Sequence, residues 1–235
     1  MNTTVHLKKL RDELNSVFDK TIEDQETDGR PHYYSGALYE FSQQLSDQAI
    51  REILTVVCAQ LEGATLASAV GLYRQAFASL RLALEMGLSA VYFSVHRLEL
   101  NEWLDGREDI HWNRLVDDDK GVLSDRFAKA FFPELVGEMK DFKTRTIKLY
   151  RGLSEFVHGN NETWAKSGIA LKYRADLNRQ YRTQCGQVFE SILFVLCCRY
   201  TKSLSAEALE SLTFISDDFS HVSGIRQAFG GPKDI

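Results

Sequence analysis

IREILTVVCAQLEGATLASAVGLYRQAFASLRLALEMGLSAVY, Ile50 to Tyr92, decides the fold class. Ile50, Ile53, Leu54, Val57, Leu61 and Ala64 form one apolar stripe. Ala78, Leu82, Leu84, Met86, Leu88, Val91 and Tyr92 form a second. Spacings of three and four are those of an α-helix with one buried face. The pattern runs on outward to about Tyr34 and Gly106. That is too long for one helix in a compact domain. A break at Gly63 or Gly71 is expected, with Gly71 preferred. Ala64, Ala67, Ser68 and Ala69 are small enough to let a neighbouring helix approach closely. The expected product is a long helical hairpin.

The flanks extend the same reading. Leu7, Leu10, Leu14, Val17 and Phe18 mark an N-terminal helix within residues 1–22, capped by Thr3 or Thr4. Glu23 to His32 lacks periodicity and reads as a loop, because Pro31 disfavours helix before it. Asp105 to Ser124 reads as a polar connector with one short helix, and helix resumes near Asp125. Pro133 suits the first turn of a helix that carries Leu135, Met139, Phe142, Thr146, Leu149, Leu153 and Phe156 and ends at Gly159. Asn160 to Lys172 reads as loop or a short extended piece. A last long helix spans about Ala175 to Ser203, and two short helical pieces complete residues 204–235. The fold class is therefore all-α: one helical-bundle domain over residues 1–235, with extra helices at both ends.

Composition narrows the function. The chain has 235 residues, a net charge of −5 and 44% hydrophobic residues, ordinary values for a soluble domain. Its first residues are charged, unlike a signal peptide. The longest apolar run, Ile192 to Cys198, falls far short of the roughly 20 residues of a membrane helix. The 4 cysteines, Cys58, Cys185, Cys197 and Cys198, form neither a disulfide framework nor a CxxC pair. A cytoplasmic protein is expected. Phosphate-loop, dinucleotide, zinc-protease and nucleophile-elbow motifs are absent from the sequence. The 6 histidines include no pair at helical metal-ligand spacing, so neither metal nor cofactor is expected. Asp117, Asp118 and Asp119 read as a solvated surface run, and Arg81 with Glu85 as an ordinary ion pair one turn apart. His96 reads as a boundary histidine, and Trp112 as a packing residue.

One constellation carries chemistry: LYRGLSEFVHGNN, Leu149 to Asn161. Arg151 and His158 are seven residues apart, which places them about 20° apart around a helix and about 10.5 Å apart along it. Leu149, Leu153, Phe156 and Val157 map to the core face, and Arg151 and His158 to the opposite face. A cation beside an imidazole suits RNA cleavage without metal. The imidazole exchanges protons with a ribose 2′-hydroxyl or a leaving oxygen, and the guanidinium holds the charge that builds on phosphorus.

These residues, with the hairpin segment GLYRQAFASLRLALE (Gly71 to Glu85), resemble the HEPN superfamily, all-helical domains with an Arg-x4–6-His motif near a helix end. The resemblance covers about half of the chain. It implies a metal-independent ribonuclease with Arg151 and His158 as catalytic pair. It further implies a homodimer through the helix face of His158 and a toxin or effector role in bacterial antiphage defence, with an antitoxin as companion protein. Asn160, Asn161, Lys148, Arg145, Lys172 and Arg174 are the expected phosphate-binding residues. Two positions differ from many members: Gly152 follows the arginine where a polar residue is common, and Asn160 stands where toxins often carry tyrosine.

Charge supports a phosphate ligand. Between Lys140 and Arg182 lie ten basic and four acidic residues, a balance of +6 that leaves −11 for the rest of the chain. Tyr150, Trp164, Tyr173 and Tyr181 interleave with this band as candidate stacking partners for unpaired bases. An alternative reading is a non-catalytic helical adaptor or sensor subunit of a multi-protein defence system, beside an ATPase, in which the band binds nucleic acid or an acidic partner without cleavage.

Overall fold

The computed structural model describes residues 3–24, 29–157 and 171–232. Every regular element among them is helical. In chain order these are α1 (Thr3–Asp24), α2 (Arg30–Gln43), α3 (Gln48–Ala69), α4 (Tyr73–Val95), α5 (Arg97–Leu104), α6 (Trp112–Leu115) and α7 (Asp125–Phe131). A 3-10 turn, Pro133–Leu135, leads into α8 (Val136–Val157), which is followed by α9 (Ala175–Tyr200). A second 3-10 turn, Thr201–Ser203, precedes α10 (Ala206–Ser211), α11 (Phe214–Asp218) and α12 (Ser223–Ala228).

The hairpin forms where expected. Gly71 has φ +80°, a conformation that costs a residue with a Cβ but not glycine. The Leu72 amide donates to the Ala67 carbonyl at 2.7 Å and the Gly71 amide to Ser68 at 3.0 Å. This paired arrangement satisfies the open carbonyls at the end of α3 and turns the chain back into α4. The first apolar stripe is buried at every position named. The second is less uniform: Leu82 points outward and Ala78 is half-buried, because α4 is enclosed by neighbours on several sides and its buried set is Ala76, Phe77, Leu80, Ala83, Leu84 and most residues to Phe93. At Gly87 an added Cβ would lie 2.6 Å from Ile192, so α9 crosses α4 at close range there. α4 is long and apolar enough to cross a membrane by composition, and most of it is buried in the bundle, as in a core helix.

Four boundaries differ from the sequence reading, one of them at His96, where α4 ends and α5 begins inside the expected run to Gly106. Pro31 sits in the first turn of α2, where its missing N–H costs nothing, so helix begins at Arg30 within the expected loop. A turn at Gln44 to Asp47 separates α2 from α3. There the Asp47 carboxylate accepts from the amides of Ala49 (3.1 Å) and Ile50 (3.4 Å) and starts α3. The C-terminal segment holds three short helices rather than two. They are not a loose extension: Phe219 lies against Phe142 and Phe194, which stack at 3.6 Å, and so covers the α8–α9 seam.

α8 buries Met139, Phe142, Thr146, Leu149, Leu153 and Phe156, the apolar set expected. Phe156 stacks on Phe77 of α4 at 4.0 Å. Val157, assigned to the core face, is 37% exposed, one residue beyond the Phe156–Phe77 stack that closes the core.

Candidate functional site

The polar face of α8 holds the described part of the motif. Arg151 and Lys148 are both exposed, three residues apart, on the side away from the core. Neither makes an ion pair among the described residues. His158, Asn160 and Asn161 lie outside the described residues, as do Trp164 and Lys166. The final turn of α8 is held from α4: the Arg74 guanidinium donates to the Val157 carbonyl at 3.1 Å. Arg74 therefore stands at the last described residue of α8. The sequence reading missed it, because its only signal was an arginine on an otherwise apolar helix start.

The basic band divides into two groups. Arg145 donates to Asp141 at 2.8 Å and to Glu190 at 3.1 Å, and its guanidinium lies over the Phe142 ring. Burial opposes its charge, but Glu190 and Asp141 outweigh that and hold it more firmly protonated. Arg174 is clamped to Asp176 at 2.8 Å, which raises the arginine and lowers the carboxylate, while its amide donates to Tyr73 Oη at 2.9 Å. Lys143 binds Asp118 at 2.5 Å, and Arg182 lies 3.6 Å from Asp24. Lys140, Lys148, Arg151, Lys172 and Arg179 are exposed without an ion pair among the described residues. Of the expected phosphate ligands, Lys148 and Lys172 are thus open, whereas Arg145 and Arg174 are committed to carboxylates.

The aromatic residues of the band are engaged too. Tyr150 is covered on one face by Trp112, stacked at 3.6 Å and 5°, and its hydroxyl accepts from Arg81 (2.6 Å) and donates to Glu85 (2.8 Å). The Arg81–Glu85 pair is present at 3.1 Å and serves as the seat for Tyr150. Tyr173 donates to Asp24 at 2.5 Å; burial and then that bond push its hydroxyl up to about 12. Tyr181 is a core residue hydrogen-bonded to Thr65. Tyr150 and Tyr181 thus pack between helices, and the Tyr173 hydroxyl is tied to α1.

A groove of about 420 Å³ runs along the α8–α9 seam beside Lys148, lined by Arg145, Gly152, Gln184, Gln187 and Glu190. Gly152 faces Gln184, whose side-chain oxygen is buried with no hydrogen-bond partner among the described residues. A larger cleft, about 710 Å³, opens between α4 and α7. Its floor includes Tyr92 and His96, stacked at 3.9 Å. Arg114, Lys120 and Arg126 are balanced there by Glu99, Asp117 and Asp119. Asp117, Asp118 and Asp119 are exposed, as expected of a surface run, and the Asp117 carboxylate accepts from the amides of Lys120 and Asp119, which lowers its pKa. All 4 cysteines are buried and free, and burial pushes Cys58 up to about 11 and Cys185 and Cys198 to about 12.

In comparison with known proteins, the chain matches no family model, no curated protein and no solved structure.

Proposed function

We propose that this chain is a cytoplasmic, metal-independent endoribonuclease of the HEPN type, acting through Arg151 and His158 as a toxin or effector in antiphage defence. The observation that carries the reading is Arg151: exposed, free of carboxylates among the described residues, on the polar face of an α8 whose apolar face is buried inside the fold from Met139 to Phe156. Lys148, one turn earlier on that face, adds a second open cation for the RNA backbone.

In this mechanism the imidazole of His158 takes the proton of a ribose 2′-hydroxyl as that oxygen attacks phosphorus. The bond from phosphorus to the 5′-oxygen breaks, and the leaving oxygen gains a proton. In a homodimer with facing motifs, the second imidazole supplies it. The products are a 2′,3′-cyclic phosphate and a 5′-hydroxyl. Arg151 meets the negative charge on the phosphorane oxygens, which is where a fixed cation lowers the barrier.

The test is RNA cleavage by wild type, Arg151→Ala and His158→Ala with EDTA present. Cleavage by wild type to cyclic-phosphate ends, with a loss of about 100-fold or more in each variant, is expected. Absence of cleavage by folded wild type would overturn the reading.

One observation favours the alternative, a non-catalytic binding subunit. Four cations of the band are already neutralised by carboxylates, so the surface is less basic than the sequence count implies. RNA binding without cleavage would select it.

A further inference from the structure

We infer that α1 is a self-association helix, pairing antiparallel with α1 of a second copy about a two-fold axis near Leu14. The inference rests on α1 alone and not on the RNA reading.

The apolar stripe of α1 is only partly used. Measured from Leu14, Val17 and Thr21 lie at about 300° and 340°, and Leu7, Phe18 and Ile22 at about 20°, 40° and 80°. The first edge docks on the body. Val17 packs at Gly71, and the Thr21 hydroxyl donates to the carbonyls of Val17 and Ala69, both at 3.0 Å. The second edge is bare along the length of the helix: Leu7 is 58% exposed, Phe18 39% and Ile22 53%. Leu66 and Leu72, at the α3–α4 turn on which α1 docks, are exposed as well.

The charges identify the occupant. Residues 3–11 hold Lys8, Lys9 and Arg11 and no acid. Residues 12–24 hold Asp12, Glu13, Asp19, Glu23 and Asp24 against Lys20 alone. That layout opposes the helix dipole, which favours acids at the N-terminus and bases at the C-terminus. Within the chain Lys9 pairs with Glu13, Arg11 with Asp12 and Asp24 with Arg182, which leaves Lys8 in the basic half and Asp19 in the acidic half open; in an antiparallel copy the dipoles oppose and these two open charges meet. With the axis at Leu14, Leu7 meets Ile22 of the second copy, and Lys8 meets Asp19. Lys8 and Asp19 lie on one flank, at about 120° and 140°, and neither is ion-paired within the chain among the described residues.

Sedimentation velocity on the full chain tests the inference. Wild type is expected to associate through α1, and a facing-motif contact, where present, adds to that association rather than replacing it. Leu7→Glu with Phe18→Glu, both at exposed positions, should weaken dimerisation by about tenfold or more with helicity unchanged. Lys8→Glu and Asp19→Lys should each weaken it, and the two together should restore it. Because the native thiols are buried, Leu14→Cys should cross-link two copies on mild oxidation and Leu7→Cys should not. A monomeric wild type, or a dimer indifferent to all these changes, would overturn the inference. Cross-linking through Leu7→Cys but not Leu14→Cys would overturn the antiparallel arrangement. Either failure leaves the RNA cleavage assay to be decided on its own.

Discussion

α1 and α8 are both 22-residue amphipathic helices, yet the fold treats them differently. α8 buries six residues of its stripe against α4 and α9; α1 buries only Val17 and Thr21. The difference teaches that periodicity specifies a helix and a face but not the partner of that face. For α8 the partner lies in the same chain, and the polar side is what stays exposed. For α1 the apolar side itself remains.

The sharpest break of this comparison is one truncation in each helix. Leu153→Ala on α8 is expected to cost about 2–5 kcal/mol, the usual range for a fully buried leucine. Leu7→Ala on α1 should shift monomer stability by no more than about 0.5 kcal/mol. Urea unfolding at a concentration where the chain is monomeric reads both, and equal losses would erase the distinction.

Next is the joint on which α1 rests. Gly71→Ala places a Cβ 3.1 Å from Val17 and 3.3 Å from the Lys172 carbonyl, at φ +80°. A loss of about 1–2 kcal/mol is expected, with faster hydrogen exchange in α1 than in α8. Thr21→Val, which removes the hydroxyl bond to Ala69, should cost about 0.5–1.5 kcal/mol in the same assay.

The smallest effect is alkaline. The Tyr173 hydroxyl, raised to about 12 by burial and by Asp24, keeps its proton longer in the folded chain than in the unfolded one. Its contribution is therefore complete below pH 10 and is lost as pH rises toward 12. Asp24→Asn should shrink that alkaline loss, read as a smaller drop in melting temperature between pH 9 and pH 11.

What could be read in the sequence were features carried by local period and local turns. The stripe from Ile50 to Ala64, the turn at Gly71 and the apolar set of α8 as far as Phe156 stand as expected. What could not be read were partnerships across the chain. Arg145 and Glu190 are 45 positions apart, and Tyr173 and Asp24 are 149 apart, so no spacing rule reveals that they bind. For the same reason Tyr150 read as a free stacking surface until Trp112 was found against it. Pro31 misled because one residue ends a helix or begins one, depending on which side the periodicity continues. The candidate site was legible as a face of α8, with Arg151 and Lys148 open on it. Which cations of the band were free to act was not.

The central claim is that this polar face of α8 is where RNA is met. The direct measurement is RNA affinity against salt concentration for wild type, Lys148→Ala with Arg151→Ala, and Arg174→Ala. The account predicts weaker binding and a salt slope lower by about two for the paired change on α8, with Arg174→Ala unaltered because its charge is held by Asp176. Affinity and slope equal to wild type in the α8 variant would contradict it.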